Sequence, residues 1–132
     1  MRKVLYILTK LSDEDVEWLS RIGERQWLEP GTTLIREGEP IEALIFVLDG
    51  QVAVSIAGVG EVARLGSGEI LGEMSLVDES PPSATVTGCV PTQSRAVDKQ
   101  ALVERLDSNA GFAARFYRAI AMFLSIRMRR TV

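Results

Sequence analysis

Between Trp27 and Val97 the chain is broken by turn-forming residues at intervals too short for anything but strands. Leu28-Glu29-Pro30-Gly31 turns the chain, Thr32–Arg36 can extend, and Glu37-Gly38-Glu39-Pro40 turns it again. Ala43–Leu48 is an apolar, β-rich run that ends on Asp49-Gly50, a dipeptide suited to a tight hairpin turn. In Gln51–Ile56, Val52, Val54 and Ile56 alternate with Ala53 and Ser55, the pattern of a half-buried strand. Gly58-Val59-Gly60 interrupts, Glu61–Leu65 alternates once more, and Gly66-Ser67-Gly68 interrupts again. Two later strands are expected at Ala84–Thr87 and Ser94–Val97. Short strands punctuated about every 8 to 12 residues build a β-sandwich or a jelly-roll barrel.

Helical patterns flank this region. Ser12 suits an N-cap, Asp13, Glu14 and Asp15 suit the positive end of a helix dipole, and Val16, Leu19 and Ile22 share a face before Gly23. That predicts a helix over roughly residues 13–22. Lys99–Leu106 and Ala110 to about Arg130 are two further helices, the last with Phe112, Phe116, Ile120, Phe123 and Leu124 as its apolar residues. The apolar run Val4–Leu8 is too short for an export or membrane segment and is expected to be a strand or lead-in. The expected fold is therefore mainly β with flanking α. One domain would span residues 1–132, with a double-stranded β-helix (jelly-roll) barrel over about 24–98 and C-terminal helices over about 99–130.

Composition narrows the chemistry. The chain has no histidine, which removes imidazole acid–base catalysis, Ser-His-Asp chemistry and His-ligated metals. Its one cysteine, Cys89, allows no internal disulfide and no thiolate zinc site, and a cytoplasmic location is the simple expectation. Cys89 has no basic neighbour in sequence to lower its pKa, so it reads as a small strand or loop residue. The adjacent carboxylates Asp78 and Glu79 are expected to face different ways in a loop, and no nucleophile has a base beside it. These features point away from an enzyme. A net charge of −3 gives no general affinity for nucleic acid or anionic lipid, and neither partner is expected.

The most informative stretch is Gly68-Glu69-Ile70-Leu71-Gly72-Glu73-Met74-Ser75-Leu76-Val77-Asp78-Glu79-Ser80-Pro81-Pro82-Ser83-Ala84-Thr85-Val86. Gly72 permits close backbone approach, and Glu73–Val77 can make about one helical turn whose first N–H groups suit an anion. Ser83 and Ala84 then lead into a strand with a hydroxyl and an N–H at hand. The same residues also fit a plain bend, an acidic first turn and an ordinary strand start.

With its neighbours, this stretch resembles the cyclic-nucleotide-binding domain family, in the form of the catabolite activator protein effector domain. The family's phosphate-binding cassette is Gly-Glu, a short helix, then Arg-Ser/Thr-Ala and a valine two residues on. Gly72-Glu73 and Ser83-Ala84-Thr85-Val86 match it in spacing. Gly31 and Gly38 in Pro-Gly-Thr-Thr-Leu-Ile-Arg-Glu-Gly-Glu-Pro, and Gly50 in Phe-Val-Leu-Asp-Gly-Gln-Val, match upstream. The resemblance runs from the Ser12 helix through the terminal helix. It implies a ligand site made of Gly72, Glu73, Met74, Ser83 and Ala84, with the Glu73 carboxylate accepting a ribose 2′-hydroxyl.

One position departs from the pattern. Where the family has the arginine that pairs with the cyclic phosphate, this chain has Pro82, which brings neither charge nor N–H. Loss of a charge-assisted hydrogen bond weakens binding by about ten- to a hundredfold or more. Arg64 or Arg36 would have to compensate, but alternation with Leu65 turns Arg64 outward. The resemblance then implies a stand-alone sensor with weakened binding of cAMP, cGMP or a related small anion, and no other cofactor. The competing expectation is a ligand-independent module that keeps the fold, docks on a partner protein and dimerises through the last helix. In that helix Arg115, Arg118, Arg127, Arg129 and Arg130 read as a solvated charged face, and Trp18 and Trp27 read as core or helix-packing residues.

Overall fold

The helix start at Ser12 is closed in both directions. Ser12 Oγ accepts from the Asp15 N–H at 3.1 Å, and the Asp15 carboxylate accepts from the Ser12 N–H at 2.9 Å. This satisfies two donors that a helix start otherwise leaves open. The helix, α1 (Asp13–Ile22), ends at Gly23, whose extended backbone leads into the first strand. The computed structural model describes residues 9–131, so the lead-in expected at Val4–Leu8 lies outside the described residues.

The strands are β1 (Glu24–Leu28), β2 (Thr33–Ile35), β3 (Ala43–Asp49), β4 (Gln51–Ile56), β5 (Gly60–Gly66), β6 (Ile70–Leu71), β7 (Thr85–Gly88) and β8 (Thr92–Asp98). A short helix α2 (Glu73–Asp78) lies between β6 and β7, and α3 (Lys99–Ser108) and α4 (Ala110–Thr131) follow β8. The strands form two four-stranded antiparallel sheets, ordered β1-β8-β3-β6 and β2-β7-β4-β5. Consecutive strands mostly alternate between sheets, the winding of a jelly roll. The sheets face each other across side chains and are not closed into the barrel that the punctuation suggested.

Two strands escaped the sequence reading. β1 is a polar edge strand, and β6 is only two residues long. Asp49-Gly50 is no hairpin: β3 and β4 belong to different sheets, so the turn carries the chain from one to the other. Gly50, at φ 139°, is pressed against the Thr92 side chain where a Cβ would stand. The local dipeptide was legible, but the partners of β3 are β6 and β8, both distant in the chain. The hairpin that does form joins β4 and β5 through Gly58 and Val59.

β3 is apolar along its length because both its faces are covered. Ile45 and Val47 point between the sheets with Ile35, Val52, Leu71 and Val86, while Leu44 and Phe46 face the helices. On the helical side Phe112, Phe116, Ala119, Ile120 and Phe123 of α4 are buried with Leu102 and Leu106 of α3 and Leu19 of α1. Trp18 packs edge-on to Phe112 at 5.6 Å, as a helix-packing residue should. Trp27 does not: it is 58% exposed on the edge strand, and its indole N–H donates to Glu29. Among the described residues no helix is long and apolar enough to cross a membrane.

Candidate functional site

The β6–β7 connection frames a cavity of about 340 Å³. Gly72, Glu73 and Met74 line it together with Pro82, Ser83 and Ala84. The five residues singled out in the sequence therefore meet at one cavity. Ile35, Ile41, Val54, Leu65 and Val86 make its apolar wall. A wider groove of about 630 Å³ opens near Trp27 and Arg36, but it includes none of these five residues.

Local backbone chemistry explains the frame. Gly72 is the N-cap of α2 at φ 88°, a left-handed conformation that L side chains resist. A Cβ there would also stand 3.0 Å from the Ala43 carbonyl oxygen. α2 is only six residues long and ends on Glu79, also left-handed at φ 60°. The following loop is tied down: Ser75 Oγ donates to the Ser80 carbonyl at 2.7 Å, and the Gly38 N–H donates to the Pro82 carbonyl at 2.9 Å. The Glu37 N–H donates to Thr85 Oγ1 at 3.0 Å. The upstream glycine turn thus holds the loop that carries Pro82. Asp78 belongs to α2 and accepts from the Ser80 N–H, while Glu79 is the exposed cap of that helix.

Glu73 is 3% exposed. Burial pushes its carboxyl above the ordinary range, against the lowering pull of Arg127. Arg127 comes from α4 and is the residue that the sequence reading missed. Its guanidinium donates to Glu73 Oε1 at 2.7 Å, to Glu69 Oε1 at 2.9 Å and to the Ile70 carbonyl at 3.0 Å. It also lies 4.5 Å from the Phe123 ring centroid. The expected solvated arginine face is therefore corrected at two positions. Arg127 enters the cavity wall, and Arg115 forms a two-point pair with buried Asp15 at 2.6 and 2.9 Å. Arg118 and Arg129 are exposed, and the Arg130 side chain lies outside the described part. A signal existed: Phe116, Ile120, Phe123 and Arg127 follow one another at steps of 4, 3 and 4 residues, so Arg127 continues the buried stripe.

Neither of the other arginines considered reaches the cavity. Arg64 is exposed and paired with Glu61 at 2.6 Å, and Arg36 lies 3.7 Å from Glu39. Among the described residues lining the cavity, Arg127 is the cation and Glu73 and Asp78 are the anions. Cys89 is partly buried just after β7.

Two facing sheets, a short helix framing a pocket in the β6–β7 connection, and a terminal helix that reaches the pocket define a jelly-roll domain. Residues 25–109 match the family model described as the cyclic nucleotide-binding domain, and the chain belongs to that family. The cAMP-dependent protein kinase regulatory subunit of Yarrowia lipolytica is 37% identical over 86 residues, 64% of this chain and 23% of that protein. The cyclic AMP receptor protein of Thermus thermophilus is 32% identical over 103 residues, 73% of this chain and 48% of that one. This chain thus spans from about a quarter to a half of these relatives' length. Among solved structures, a cyclic nucleotide-binding domain from Methylobacillus flagellatus superposes with a TM-score of 0.82 at 28% identity, covering 97% of this chain and 78% of that one.

Proposed function

We propose that the chain is a non-enzymatic sensor domain that takes a cyclic nucleotide, cAMP or cGMP, with reduced affinity. The observation that carries this reading is the open cavity. Its volume of about 340 Å³ falls in the range of small-molecule sites, and the cassette residues surround it instead of filling it. Glu73 is the hydroxyl acceptor, the Ser83–Ala84 segment faces the phosphate, and the apolar wall suits a base. Pro82 leaves the diester without its usual guanidinium.

A second reading, a ligand-independent interaction module, draws on the same proline and on Arg127, which already engages Glu73. Calorimetry separates the two. Wild type is expected to bind cAMP or cGMP weakly, and Pro82→Arg to bind about ten- to a hundredfold more tightly. The carbonyl of residue 82 that receives the Gly38 N–H is retained in that variant. No heat from either protein at millimolar nucleotide would leave the interaction module as the better account.

A further inference from the structure

The charges around the cavity do not suit an anion. Pro81 and Pro82 precede Ser83 and Ala84 in its lining, and neither ring brings an N–H or a charge. Ser83 adds a neutral hydroxyl. Arg127 is the guanidinium among the described lining residues, and its donors are already engaged by Glu73 at 2.7 Å, Glu69 at 2.9 Å and the Ile70 carbonyl at 3.0 Å. Asp78 adds an exposed carboxylate to the lining. Burial favours the protonated form of Glu73, yet Glu69 and Asp78 then still stand against the one guanidinium. An anion entering between these groups and the apolar wall of Ile35, Val54 and Leu65 gives up water and meets no unengaged cation among the described residues. A ligand hydroxyl can use the same neutral donors and brings no charge with it.

We infer that the cavity favours an uncharged nucleoside over the corresponding 3′,5′-cyclic phosphate, because its lining opposes the phosphate charge and accepts the rest of the molecule. This rests on the reading of the cavity as a nucleotide site and names the ligand class that it favours. Two residues set the preference: Pro82 by supplying no cation, and Asp78 by supplying a carboxylate.

The test is calorimetry of wild type, Asp78→Asn and Pro82→Arg with adenosine, guanosine, cAMP and cGMP, up to millimolar ligand and at low and high salt. In wild type the nucleoside of at least one base is expected to bind severalfold more tightly than its cyclic phosphate. Added salt should strengthen the cyclic phosphate and leave the nucleoside unchanged, since screening acts on the charged ligand alone. Asp78→Asn should strengthen the cyclic phosphate severalfold, and the asparagine oxygen can still accept the Ser80 N–H. Pro82→Arg should reverse the order, with the cyclic phosphate gaining about ten- to a hundredfold and the nucleoside unchanged. The order in wild type needs no variant to fold and decides the matter. Cyclic phosphates that bind wild type as tightly as their nucleosides, or more tightly, would overturn the inference and leave the sensor reading standing. No binding of any of the four ligands to wild type or to Pro82→Arg would remove the nucleotide reading, and the inference with it.

Discussion

Glu73 carries a carboxyl that burial raises above its ordinary pKa, so the folded chain binds that proton more tightly than the unfolded chain does. The linkage sign follows. Stability falls as pH rises through the unfolded value toward the folded one, and the ionised form is the less stable state of the fold. Glu73→Gln is therefore expected to keep or raise the melting temperature at pH 7 while lowering affinity for a ribose-bearing ligand about tenfold or more. Thermal scans and calorimetry on the same preparation check both halves, and a large drop in melting temperature would contradict this account of the site. Gly72 has the opposite profile. Its positive φ and the nearby Ala43 carbonyl oxygen make Gly72→Ala costly, by about 1–3 kcal/mol in urea denaturation.

The contact between α1 and α4 has its own pH signature. Asp15 completes the cap of α1 and receives two hydrogen bonds from Arg115 of α4. The Arg115 side-chain hydrogen bonds hold its carboxyl at about 2, against an ordinary 3.8. A depressed carboxylate contributes stability that is complete above its unfolded pKa and is lost as pH falls toward about 2. Asp15→Asn should therefore cost about 1–2 kcal/mol at pH 7, the lower figure allowing for the partly exposed Arg115. The gap between variant and wild type should close between about pH 4 and pH 2, the interval between the two pKa values. Denaturant titrations across that range would read it, and a gap independent of pH would place the cost elsewhere. Most element types were legible because hydrophobic period and turn residues are local. β1 was not, since a polar edge strand pairs with β8 at the far end of the domain and carries little pattern of its own.

The whole molecule is two apolar layers that share the sheet containing β3. One layer lies between the sheets and borders the cavity, and the other lies between that sheet and the helices. α4 belongs wholly to the second layer until Arg127, where it reaches the first. Phe116→Ala should remove about 3–5 kcal/mol in chemical denaturation, because a ring 1% exposed in a close-packed layer leaves a void. The same variant should loosen the hold of Arg127 on Glu73, and a melting temperature within a degree of wild type would contradict the packing described. What the chain determined by itself was most of the strands and turns, the flanking helices, the Gly72–Glu73 and Ser83–Ala84 pattern that matches the family, and the proline within it. Each of these is a property of neighbouring residues. What only the tertiary structure decided was that Asp49-Gly50 crosses between sheets, that Trp27 stays outside, and that Arg127 meets Glu73 from 54 residues away. A guanidinium on a helix looks the same in sequence whether it faces water or a buried carboxylate, and only packing against the sheet brings those two charges together.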